Sequence, residues 1–115
     1  MKINRFEDII AWQKAKDLVF DCYKIFQPLK DYSFKDQILR AVLSIMNNIA
    51  EGFERKGNKE FKKFLYIAKG SCAEVRSMLY IALERDYISR EKFQSLYSRS
   101  FEVSKILSGL IKSLS

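Results

Sequence analysis

Apolar side chains recur along almost the whole chain at intervals of three and four residues, the spacing that gathers them on one face of an α-helix. The first such run extends from about Arg5 to Phe26 and places Ala11, Ala15, Leu18, Val19, Cys22, Ile25 and Phe26 on its apolar side. Asn4 with Glu7 three residues later has the capping-box spacing, and Pro28 ends the run. Ser33 with Asp36 repeats that signature ahead of a second run, about Phe34 to Arg55. Gly57-Asn58 is the next break. Asn58 is placed to cap a third run from Lys59 to about Arg85, with Glu60 favourable in its first turn. After a tight connection at Asp86-Tyr87-Ile88, Ser89 caps a fourth run with apolar Phe93, Leu96, Val103, Leu107, Leu110 and Leu114. No strand-like alternation competes. Long helices joined by short connections must run antiparallel to their neighbours, so the pattern predicts an all-α, up-down-up-down four-helix bundle. A chain of 115 residues accommodates one such domain, spanning 1–115.

The second helix departs from an ordinary bundle helix. On a wheel, Ile38, Leu39, Ala41, Val42, Leu43, Ile45, Met46, Ile49, Ala50 and Phe53 fill an arc of about 200°, where facing a single core requires little more than 100°. The excess predicts a deeply seated helix or a second apolar face that meets another subunit. Its polar strip holds Asp36, Arg40, Ser44, Asn47, Asn48, Glu51 and Arg55. The third helix carries a matching departure at Gly70, Ser71 and Glu74. Glycine in mid-helix costs about 0.5–1 kcal/mol relative to alanine, so Gly52 and Gly70 are expected where backbones approach closely. Ser44, Asn48, Glu51, Gly52, Gly70, Ser71 and Glu74 thus form a candidate packing and assembly motif. The sharper alternative is a carboxylate-pair active site built from Glu51 and Glu74.

The other flank of the third helix is basic and aromatic. Lys62, Lys69 and Arg76 recur every seven residues, with Tyr66 and Tyr80 among them. Arg55, Lys56, Lys59 and Lys63 cluster at its start. Such a group is either a solvated face or a nucleic-acid contact in which the cations meet phosphates and the tyrosines stack on unpaired bases. The overall charge favours an anionic partner: the net +7 is concentrated in residues 58–115, which hold 11 of the 21 basic and 6 of the 14 acidic side chains.

Composition narrows the chemistry further. The chain has no histidine, which removes the usual general base at neutral pH. Its two cysteines, Cys22 and Cys72, both fall in apolar stripes without a CxxC spacing, so they read as free buried thiols. No metal, cofactor or catalytic site is expected. No apolar run approaches the roughly 18 residues of a membrane span, and the first residues lack a signal-peptide pattern, so a cytoplasmic location without membrane contact is expected.

Three segments together carry a family resemblance: Phe6-Glu7-Asp8-Ile9-Ile10-Ala11-Trp12-Gln13-Lys14-Ala15, then Ser44-Ile45 with Asn48-Ile49-Ala50-Glu51-Gly52, then Ala68-Lys69-Gly70-Ser71 with Glu74. In order and spacing they resemble the 23S rRNA intervening sequence proteins, bacterial four-helix bundles. The chain is also similar to the accessory proteins of diversity-generating retroelements. The resemblance implies a four-helix bundle that assembles as a ring of identical subunits, most often a pentamer. It is compatible with two uses: association with structured RNA, or a scaffold that docks a larger enzyme such as a reverse transcriptase.

Overall fold

The computed structural model describes residues 3–115 and consists of a 3-10 turn, Phe6–Asp8, followed by four helices: α1 (Ile10–Phe26), α2 (Tyr32–Glu54), α3 (Asn58–Glu84) and α4 (Arg90–Ser113). Residue pairs across three of the four seams run in opposite order, so the helices that meet there are antiparallel. Between α2 and α3, Gln37 meets Glu74 and Ser44 meets Ser71. Between α3 and α4, the Ser100 hydroxyl donates to the Cys72 carbonyl at 3.0 Å, and Lys62 reaches Ser115. Between α1 and α4, Lys14 pairs with Glu102 at 3.5 Å and Asp21 with Arg99 at 2.7 Å. The long axis of 43 Å is essentially the length of α3, about 40 Å at 1.5 Å per residue.

One core runs the length of the bundle. Leu18, Phe26, Ile38, Ile45, Ile49, Leu65, Leu79 and Leu107 are completely buried, joined by the free thiols Cys22 and Cys72. The apolar stripes expected for the four helices supply this core, with Ile25, Phe93 and Leu114 only half-buried at its edge.

The caps differ from their expected positions in three places. The capping box at Asn4 and Glu7 does not open α1. Instead Arg5 is extended, residues 6–8 make the 3-10 turn, and α1 starts at Ile10 with Ile9 as its cap residue. Packing accounts for the choice: Ile9 is 3% exposed and Phe6 meets Trp12 edge-to-face at 5.2 Å. Burying an isoleucine side chain is worth about 1.5–3 kcal/mol, against about 1 kcal/mol for a typical cap. At α2 the cap is Asp31 rather than Ser33, and its Oδ1 accepts from the Phe34 amide at 3.2 Å. At α3 the cap residue is Gly57, at φ +83°, and Asn58 is already helical. Ser89 caps α4 as expected, accepting from the Lys92 amide at 3.1 Å.

The wide apolar arc of α2 is used partly inside the chain. The 3-10 turn packs on both α1 and α2, and Leu43, Met46 and Phe53 lie half-buried against the core. Trp12 sits at the core's edge with Lys16 over its ring at 5.6 Å.

The two glycines of the assembly motif behave differently. A Cβ on Gly52 would lie 2.6 Å from the Phe64 Cβ and 3.3 Å from the Phe61 carbonyl oxygen, so α2 and α3 touch backbone-close there. A Cβ on Gly70 would meet nothing within 4 Å, so the expected close approach does not occur there within the chain. Gly52→Ala is therefore expected to destabilise the fold by about 1–3 kcal/mol through overpacking. Gly70→Ala is expected to raise helix stability by about 0.5–1 kcal/mol. Urea unfolding of the two variants checks both signs.

At the opposite end, Asp31 joins the two connections. Its Oδ2 accepts from the Tyr87 hydroxyl at 2.6 Å while Oδ1 caps α2. The Tyr87 hydrogen bond, and then the Phe34 amide, hold the Asp31 carboxyl below its usual value. A carboxyl lowered in the fold stabilises it above the unfolded value, about pH 3.9, and that contribution disappears as pH falls through the lowered folded value. Thermal melts of Asp31→Asn against the parent chain are expected to differ at pH 6 and to converge in strong acid. A difference that persists unchanged at the lowest pH would exclude the carboxylate as its origin.

Candidate nucleic-acid interface

The motif residues of α2 and α3 form a polar seam rather than a catalytic cluster. Asn48 Nδ2 donates to the Ser44 carbonyl at 2.8 Å and to its hydroxyl at 2.9 Å, and the Ser71 hydroxyl donates to Ser44 Oγ at 2.9 Å. This chain of bonds satisfies the small polar groups that Gly52 brings close. Glu74 accepts from Gln37 Nε2 at 3.1 Å, while Glu51 accepts from Arg55 at 2.8 Å within its own helix. Gln37 precedes Glu51 by 14 residues on α2, or about 21 Å of rise. The two carboxylates therefore do not share a site. The thiols are equally unsuited to nucleophilic work, since burial pushes Cys22 up to about 12 and Cys72 up to about 11. Among the described residues no group of three or more His, Cys, Asp or Glu is arranged to hold a metal ion, and no helix is long and apolar enough to cross a membrane.

The basic residues divide into two sets. Around the α2–α3 connection, Lys56, Lys59 and Lys63 are exposed. Arg55 is committed to Glu51 and also lies over the Phe64 ring at 4.9 Å. Tyr66 is 60% exposed. Lys62, Lys69, Arg76 and Tyr80 instead face α4. Lys62 Nζ donates to the Ser115 hydroxyl at 3.4 Å, and Lys69 Nζ to the Ser108 hydroxyl. The Arg76 guanidinium carbon lies 5.9 Å from the Tyr97 ring and 5.5 Å from the Phe101 ring. Tyr80 packs on Phe93 at 5.1 Å and on Tyr97 at 5.7 Å. A hydrogen bond with Tyr97 holds the Tyr80 phenol above its usual value.

The helical repeat explains the face. On α3, positions 62, 69, 76 and 80 fall within about 40° of one another; on α4, Phe93, Tyr97, Phe101, Lys105, Ser108 and Lys112 form the facing flank. The α4 half was absent from the candidate set, with Phe93 assigned to the core. Its signal was present as aromatics at 93, 97 and 101, one turn apart, but a wheel of one helix does not show which flank a neighbour will cover.

Electrostatically the face is unbalanced. The ion pairs among the described residues are Arg5–Glu7, Lys14–Glu102, Arg55–Glu51 and Arg99–Asp21. None involves Lys62, Lys69, Arg76, Lys105 or Lys112. Arg76 Nη1 is shut from solvent without a hydrogen-bond partner. The rings of Tyr97 and Phe101 stand in as the weak electrostatic partners of that cation.

A family model described as 23S rRNA-intervening sequence protein matches residues 7–109. The chain belongs to that family. Among solved structures it is similar to a protein of unknown function from the S23 ribosomal protein family of Bacteroides thetaiotaomicron. The two are 26% identical and superpose with a TM-score of 0.85, over 90% of this chain and 99% of the other. No curated protein matches the chain. The chain shares its fold of four helices, without strands among the described residues, with that neighbour.

Proposed function

We propose that this 23S rRNA-intervening sequence protein is a non-enzymatic, ring-forming bundle that associates with RNA through phosphate contacts on its α3–α4 face. The observation that carries this reading is the run of Lys62, Lys69, Arg76, Lys105 and Lys112 without a carboxylate partner. Cations so arranged along one groove can neutralise phosphates and release the counterions condensed on them, which drives binding with little dependence on sequence. Lys59, Lys63 and Tyr66 extend the same helix outward at its start. The family's designation, which refers to 23S rRNA, points to the same class of partner.

Assembly is supported by apolar surface on two separate flanks. On α3, Ile67 and Ile81 are 45% and 49% exposed on either side of the open position at Gly70. On the α1–α2 side, the exposed rings of Tyr23 and Tyr32 line a shallow groove of 440 Å³ together with Leu43 and the charged Lys35, Asp36 and Arg40. Two different surfaces that each need cover fit a head-to-tail contact, which closes into a ring when the rotation permits. Five subunits is the number the family resemblance implies. Ring symmetry would multiply the phosphate contacts of one chain.

Binding to a structured RNA fragment is expected at low salt, with log K falling linearly against log salt. The combined change Lys62→Gln, Lys69→Gln and Lys105→Gln should reduce that slope by about 0.7–0.9 per lysine removed. Absence of binding at low salt, or a slope indifferent to these lysines, would refute the RNA reading and favour a scaffold that docks a protein partner. Sedimentation equilibrium is expected to give a multiple of the 13.6 kDa chain mass and to give a smaller mass for Ile67→Asp. A monomer at micromolar concentration would remove the ring from the proposal.

A further inference from the structure

The α3–α4 face contains more aromatic surface than phosphate contact requires. Phe93, Tyr97 and Phe101 recur once per turn on α4, and Tyr80 packs onto the first two from α3. Two of these rings remain open to solvent: Tyr80 is 48% and Phe101 49% exposed. Two cations lie at the Phe101 end of the row. Arg76 is held between Tyr97 and Phe101, and Lys105 Nζ stands 5.6 Å from the Phe101 ring centre.

The surroundings of Phe101 provide room as well as charge. A depression of 360 Å³, lined by Ser98, Phe101, Glu102, Lys105 and Ile106, opens next to it. That volume lies at the lower end of the range for small-ligand pockets. Glu102 is the one acid in that lining, and its carboxylate is engaged by Lys14 at 3.5 Å. Ser98 and Lys105 therefore supply polar groups at the rim without an uncompensated negative charge.

We propose that this row is a stacking platform for unpaired bases, so that the α3–α4 face binds single-stranded RNA in preference to duplex. The inference rests on the phosphate-binding reading and specifies its substrate. In a duplex the faces of the bases are occupied by their neighbours and only the phosphates are available. In a single strand each base also offers a π-face, and stacking on an aromatic ring is tolerant of sequence. The spacing agrees: Phe101 lies about 6 Å along α4 from Tyr97, the ring on which the second open ring, Tyr80, packs at 5.7 Å. A stacked strand advances only about 3.4 Å per nucleotide. Bases on successive rings would therefore be splayed apart, as they are in an unpaired segment. Arg76 and Lys69 lie along the same groove to follow the backbone.

The test is fluorescence anisotropy with an unstructured 20-nucleotide RNA and with the same strand annealed to its complement, at matched salt, using the full-length chain. The single strand is expected to bind more tightly. Phe101→Ala should weaken single-strand binding roughly 5- to 150-fold, the factor carried by one base–ring stack, and leave its salt slope unchanged. Duplex binding by the same variant should not move. Phe101→Leu keeps the apolar bulk without a π-face and should reproduce the loss, which separates stacking from folding; circular dichroism melts verify that both variants are folded. Equal binding of the two RNAs, or no effect of either Phe101 variant on the single strand, would overturn the platform while the phosphate reading stands. If neither RNA binds at low salt, the phosphate reading fails and takes this inference with it. A fall in assembly mass on Phe101→Leu would assign the rings to a subunit contact and overturn the inference as well.

Discussion

Most of the bundle's geometry depends on the close approach of α2 and α3 at Gly52. A single missing Cβ lets the two backbones come near enough that Phe64 occupies the space a side chain would fill. Within about three turns of that point along the same seam, Ser44, Asn48 and Ser71 bond to one another. An apolar substitute of larger volume would force the helices apart, and an unpaired polar group would be left without water. The polar stretch inside α2 is thus hydrogen-bonded within the α2–α3 seam.

Fixing α2 against α3 also sets the rotation of α3 about its own axis. With Ser71 and Glu74 held to α2, the flank that carries Lys62, Lys69, Arg76 and Tyr80 must face α4. There the row of α4 aromatics meets it, and the Arg76 guanidinium is trapped between rings. A helix that looked basic on one solvent-facing side becomes half of a mixed cationic and aromatic groove. The polar seam and the candidate interface are opposite flanks of the same helix.

Several local signals were legible and were still outweighed. The capping box at Asn4 and Glu7 is sound local chemistry, yet α1 begins at Ile10 because burying Ile9 and seating Phe6 on Trp12 is worth more than a cap. Ser33 could have capped α2, but Asp31 can serve the Phe34 amide and the Tyr87 hydroxyl together. Gly57 displaced Asn58 because the turn into α3 needs a positive φ, which glycine adopts without strain. Glu51 and Glu74 share similar small-residue surroundings in sequence, but antiparallel pairing places them several turns apart.

The sequence by itself determined the helix count, the buried stripes, the free thiols and the family. These follow from periodicity and composition, which act within one helix or need no coordinates. The tertiary structure decided which flank of each helix is covered. It separated Gly52, a true close contact, from Gly70, which is open. It separated the paired Arg55 from the unpaired Lys69 and Arg76, and it brought Phe93, Tyr97 and Phe101 into the candidate interface. The physical reason is that a helical wheel gives the angle of a residue about its own axis. The partner at that angle depends on how far and in what register the next helix lies, and here a missing Cβ at Gly52 sets both.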